Sequence, residues 1–185
     1  MAYDVPLQQR REQAAKCDVG LGECLYLAPR APKIEPELMR RTLETSSAES
    51  NLVGNIYYAN YYHWQGRLIE RYFYNVFPEW FTAGGQLGEF WCVRSSVAHL
   101  REAMPFDQIE VVMALEGLYQ RGIQLHFDFY KVALDEPRIK LAYGEYEAIW
   151  VAKGAYIRAC ELPDCYRSVL IGAVDCHRRT GALRA

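Results

Sequence analysis

The chain has 185 residues, 51% of them hydrophobic, and a formal net charge of -2. That length fits one domain with terminal extensions, and that charge offers no basic footprint for nucleic acid or an acidic membrane surface. No apolar run reaches the roughly 18 residues of a membrane helix, and polar Met1 to Arg11 has no signal-peptide core, so a cytoplasmic protein is expected.

Residues 1–36 stand apart as an N-terminal arm. Gln8 to Lys16 has the composition of a short polar helix, Gly20 and Gly22 break it, and Pro29, Pro32 and Pro36 keep the next segment extended. Glu37 to Ser46 reads as a first strand, with Met39, Arg41, Leu43 and Thr45 alternating against Arg40, Thr42 and Glu44. A polar loop with Ser50, Asn51, Gly54 and Asn55 follows, then about twenty residues of aromatic helix. Tyr57, Tyr61, Trp64, Leu68 and Tyr72 recur at helical steps, with Tyr58, Tyr62, Ile69 and Phe73 beside them. Such a wide apolar surface has to be wrapped by other elements.

After Pro78 the pattern gives a helical turn over Glu79 to Ala83, closed by Gly84 and Gly85. Four strand candidates then arrive: Leu87 to Leu100, Gln108 to Tyr119, Gly122 to Leu134 and Ile139 to Ala152. In the third, Ile123, Leu125, Phe127 and Phe129 face one way and Gln124, His126, Asp128 and Tyr130 the other. Short connections make these strands antiparallel neighbours. Residues 37–153 are therefore read as one domain of the α+β class, a long central helix wrapped by an antiparallel sheet of roughly five or six strands. Residues 154–185 form a tail in which Tyr166 to Ala173 suits a short helix or a strand. The sheet leaves an open edge, so homodimers through strand pairing are expected.

The six cysteines do not pair into metal-ligand spacing. Cys17 and Cys24 are too far apart for C-x2-C, and Cys160, Cys165 and Cys176 are irregular. Free thiols fit a reducing cytosol, and Cys92 reads as a small core residue of its strand. Neither a metal nor a cofactor is called for.

The strand, the loop with (Asp or Asn)-x-x-Gly-x-(Val or Ile)-Tyr spacing, the aromatic helix and the long sheet together resemble the hot-dog fold thioesterases. Within them, SNLVGNIYYANYYHWQGR is similar to the thioesterases of enediyne polyketide biosynthesis, and REAMPFDQIEV and KLAYGEYEAIWV agree. The resemblance covers roughly Glu37 to Lys153 and leaves both extensions outside it. It implies release of a β-keto or polyene acid from the acyl carrier protein of a polyketide synthase, and a homotetramer built as a dimer of dimers. The alternatives keep the fold and change the chemistry: a non-hydrolytic acyl-binding or dehydratase-like protein, or a general acyl-CoA thioesterase. For the last, Arg94, Arg101 and Arg121 are candidate phosphate contacts.

The resemblance also implies a site. The wider family carries Asp where this chain has Asn51, whose neutral amide is neither nucleophile nor base but can orient water or donate to a carbonyl. Asn51 equally suits a cap or turn. Gly54, Asn55, Ile56 and Tyr57 are expected to present backbone N–H groups at the positive end of the helix, as an oxyanion hole. A polar edge of His63, Arg67, Glu70, Arg71 and Tyr74 runs down the helix. Arg67 is the first candidate for the fixed catalytic cation, with Arg71 in reserve, because Ile69 stands where the subgroup often has a second basic residue. Glu70 is either a base or the counter-ion of Arg67. Tyr57, Tyr61, Trp64 and Arg71 are the expected substrate contacts.

Overall fold

The apolar face of the helix and the alternating strands meet as their periodicities require. The computed structural model describes residues 37–82, 87–154 and 158–181, with side chains to residue 172. Its elements are β1 (Glu37–Glu44), α1 (Ala59–Val76), β2 (Gly88–His99), β3 (Gln108–Leu118), β4 (Gly122–Val132), β5 (Ile139–Ala152) and α2 (Asp164–Gly181). One-turn 3-10 helices at Ser47–Glu49 and Pro78–Phe81 flank α1. The strands form one five-stranded antiparallel sheet in the order β1-β3-β4-β5-β2. The N-terminal arm, with Cys17 and Cys24, and Gly84 and Gly85 lie outside the described residues, as does the side chain of Cys176.

The inner face of the sheet packs on α1. Ile109, Met113, Leu115, Ile123, Phe127 and Phe129 are essentially inaccessible, and so is the α1 stripe of Tyr61, Trp64 and Leu68. Removing that much apolar surface from water is the main term holding helix to sheet. The opposite face is half-buried and polar. There Asp128 accepts hydrogen bonds from Lys140 (2.7 Å) and Tyr130 (3.1 Å) and faces His126. Burial alone would raise the Asp128 pKa, but the bonds from Lys140 and His126 outweigh it and hold the carboxyl below its usual value.

One polar residue enters the apolar interface. Gln65, 1% exposed, accepts a hydrogen bond from Ser95 Oγ (3.0 Å) and reaches the Ser96 carbonyl (3.4 Å). It fits because Gly144 has no side chain: a Cβ there would lie 2.3 Å from Gln65 Nε2 and 2.7 Å from Ser96 O.

Several expectations are corrected. Helix α1 begins at Ala59, and Tyr57, Tyr58 and Tyr62 are exposed by 43%, 57% and 38%. Sequence periodicity extended the apolar surface past the residues that the sheet can cover. Cys92 is exposed rather than core: it lies beside the irregularity between Cys92 and Arg94 that shifts the β2 register against β5. The segment expected as a short helix or strand is part of α2, whose Tyr166 and Leu170 join the core.

Candidate active site

The loop before α1 is a closed hydrogen-bonded turn. The Asn51 N–H donates to Asn55 O (2.9 Å), and the Gly54 N–H donates to Asn51 O (3.0 Å). Gly54 has φ of 92°, a left-handed conformation that side chains disfavour, with open space where its Cβ would stand. Two further bonds fasten the loop: Ile56 N–H to Ala103 O and Tyr57 N–H to Glu49 O, both 2.8 Å. Asn55 Nδ2 donates to Glu102 Oε1 (3.0 Å), while its buried Oδ1 has no partner among the described residues.

These bonds revise the expected oxyanion hole. Gly54, Ile56 and Tyr57 have spent their N–H groups inside the protein, because loop closure needs the same donors. Among those four positions only the N–H of Asn55 lacks an acceptor among the described residues. The Asn51 side chain is oriented by its own turn. Its Oδ1 accepts the Val53 N–H (2.9 Å), which directs Nδ2 away from Val53. Both readings of Asn51 therefore coexist: its oxygen shapes the turn and its amide NH2 remains as a donor.

Further along α1 the expected contacts separate into core and surface. Tyr61 is buried against Trp64 (4.7 Å between ring centroids), Phe129 (5.0 Å) and the edge of His99 (4.6 Å). Burial, with the nearby Asp107 carboxylate, pushes the Tyr61 hydroxyl pKa up to about 12, so it stays protonated. Trp64 is also buried, and its Nε1 donates to Glu49 Oε1 (3.2 Å). Arg67 and Glu70 are exposed and form no ion pair with each other, and Arg71 lies over the Tyr74 ring at 5.5 Å instead. Arg67 stands eight residues into α1, roughly 12 Å along its axis, and shares no hydrogen bond with Asn51. Arg94 bonds to Glu145 and Glu147, which removes it from the free cations.

Glu49 escaped the sequence reading. Its carbonyl receives Tyr57 N–H and Asn60 Nδ2, and its carboxylate receives Ser46 N–H and Trp64 Nε1. It ties the turn to the helix face. The Ser46-x-x-Glu49 spacing is the signal that finds it. Gln65, a lone amide on an apolar stripe, is a second such signal. Among the described residues no group of three or more His, Cys, Asp or Glu could hold a metal ion. No described helix is long and apolar enough to cross a membrane.

No protein-family profile and no curated protein matches the chain. Solved structures do. The dynemicin thioesterase, solved in studies of polyene binding, is 29% identical, with 72% of this chain and 95% of that chain aligned at a TM-score of 0.64. A 4-hydroxybenzoyl-CoA thioesterase is 13% identical over 71% of this chain and 97% of that chain, also at 0.64. The 1,4-dihydroxy-2-naphthoyl-CoA thioesterase from Synechocystis is 12% identical over 71% and 94%, at 0.61. The order and pairing of the five strands around α1 agree with these likenesses: the chain has the hot-dog fold, and it resembles the thioesterases built on that fold.

Proposed function

We propose that this protein is a thioester hydrolase whose reacting site is the turn at Asn51 and the start of α1. The observation that carries this reading is the 29% identity to the dynemicin thioesterase across 95% of that chain. Hydrolysis requires water to add to the thioester carbonyl carbon. The oxyanion then collapses with cleavage of the C–S bond, and the thiol leaves protonated. Asn51 cannot remove the proton from water, but its Nδ2 can donate to the oxygen as negative charge develops there. The free Asn55 N–H adds a second donor. Arg67, without a counter-ion among the described residues, adds a positive charge on the same helix, roughly 12 Å along its axis from the first turn, so it acts on the developing charge through its field and not by contact. Arg71 is the weaker candidate because Tyr74 already receives its guanidinium.

The finer reading is release of a β-keto or polyene acid from the acyl carrier protein of a polyketide synthase. Exposed Leu52, Val53, Met104 and Phe106, on two loops joined by the Ile56–Ala103 bond, offer apolar surface beside the site for such a partner. Association of copies through a free sheet edge belongs to the same reading, and light scattering that shows only monomer would remove it. A second reading, non-hydrolytic acyl binding, is favoured by one observation: Asn51 replaces a carboxylate and spends its oxygen on the turn.

Mass spectrometry of mixtures with β-ketoacyl- or polyene-loaded carrier protein, and with the matching acyl-CoA, separates these. Free acid is expected from the loaded carrier, with Asn51→Ala slower by roughly ten- to a thousandfold. Free acid from acyl-CoA alone would reject the carrier. No free acid from either would reject hydrolysis.

A further inference from the structure

A groove of about 140 Å3 opens between β1 and α1, and no residue of the turn at Asn51 lines it. Leu43, Trp64, Leu68 and Val111 form its apolar floor, and Arg41 and Arg67 stand in its walls. The position of Arg41 is unusual for its strand. It pairs in register with Val111, so it lies on the face that elsewhere buries Ile109 and Met113. The adjacent Arg40, on the opposite face, bonds to Glu37 and Glu110. Neither Arg41 nor Arg67 meets a carboxylate among the described residues. Two guanidinium groups beside one apolar floor repel each other unless an anion lies between them.

We propose that this groove binds a carboxylate carried on an apolar chain, with Arg41 and Arg67 holding the head group and the Trp64–Leu68 floor receiving the chain. Planar guanidinium forks match a carboxylate in two parallel hydrogen bonds. The volume is below the roughly 300 to 1,000 Å3 of sites for drug-sized ligands, so the groove takes the carboxylate end and its first carbons. The assignment stands on the groove itself. Its biological source, the free acid that a thioesterase releases, rests on the function proposed above, and in that setting occupancy gives inhibition by product.

Direct binding tests the site without reference to turnover. Hexanoate is titrated into the full chain by calorimetry, alongside hexanamide and inorganic phosphate. Saturable hexanoate binding is expected, weakened about tenfold or more in Arg41→Leu, partly retained in Arg41→Lys, and absent with hexanamide. Unchanged circular dichroism and melting temperature establish that each variant is folded. Equal binding of hexanoate by wild type and Arg41→Leu would overturn the proposal, as would equal binding of hexanamide. Phosphate binding as tight as hexanoate would also overturn it, because the apolar floor would then contribute nothing. Product inhibition by hexanoate that disappears in Arg41→Leu would tie the groove to hydrolysis. Binding without hydrolysis would leave the groove standing and remove its source.

Discussion

The two ends of α1 are held by different physics. At the C-terminal end aromatic rings close on one another: Phe77 stacks on Trp80 at 4.6 Å, Tyr166 meets Trp80 edge-on at 5.0 Å, and Trp150 lies 5.1 Å from Tyr166. Phe77 is 1% exposed, and α2 supplies Tyr166 and Leu170 to complete the seal. At the N-terminal end the aromatic residues Tyr57 and Tyr58 are exposed, and directional hydrogen bonds donated by backbone N–H groups to Glu49, Ala103 and Asn51 set the geometry. Burial gives the closed end its stability without fixing any polar group for use. Hydrogen bonding at the open end fixes donors in space while leaving surface for a ligand, which is what a reacting site requires.

The contrast can be broken most forcefully at the closed end. Trp80→Ala empties the centre of the aromatic cluster and should cost about 3–5 kcal/mol in chemical denaturation. Asn51→Ala removes one turn bond at the open end and should cost only about 1 kcal/mol in the same assay. A loss at Asn51 as large as that at Trp80 would mean that both ends carry the fold. Between the ends, Gly144→Ala forces a methyl against Gln65 and the Ser96 carbonyl and should cost roughly 1–3 kcal/mol. Denaturation midpoints unchanged by that substitution would show that the Gln65 contact yields easily.

The smallest expected effect is a pH dependence at the open end. Burial lowers the His99 pKa below its usual 6.5, so the unfolded chain binds the proton more readily than the folded one. Stability should therefore fall as pH drops from about 6.5 through the lowered value, and be unaffected by His99 well above about 6.5. Thermal melts of His99→Asn should show a shallower decline across that window. A decline unchanged by the substitution would assign it to other groups.

β3 and β4 were legible because each buries one face: Ile123, Leu125, Phe127 and Phe129 alternate with polar residues and all four face the core. β5 matches its expected span, Ile139–Ala152, because Pro137 and the tail punctuate both its ends. Legibility ended where local pattern stops deciding. Periodicity cannot tell that Tyr57 and Tyr62 lie beyond the sheet's cover, and no sequence rule says that Gly54, Ile56 and Tyr57 will spend their N–H groups on Asn51, Ala103 and Glu49. Ala103 lies 47 residues after Ile56, so that bond is a product of tertiary contact. Helix α2 was indistinct because its reason for folding, the cavity around Phe77 and Trp150, is built by distant segments.

The central claim is that Asn51 works as a donor whose orientation its own turn fixes. Asn51→Asp tests it most directly, because one carboxylate oxygen can still accept the Val53 N–H while the other replaces the donating NH2 with an acceptor and a negative charge. With carrier-bound β-ketoacyl substrate, the account predicts an unchanged melting temperature and turnover lowered by about tenfold or more. Turnover equal to wild type or higher, with the fold intact, would contradict it and return the site to carboxylate chemistry.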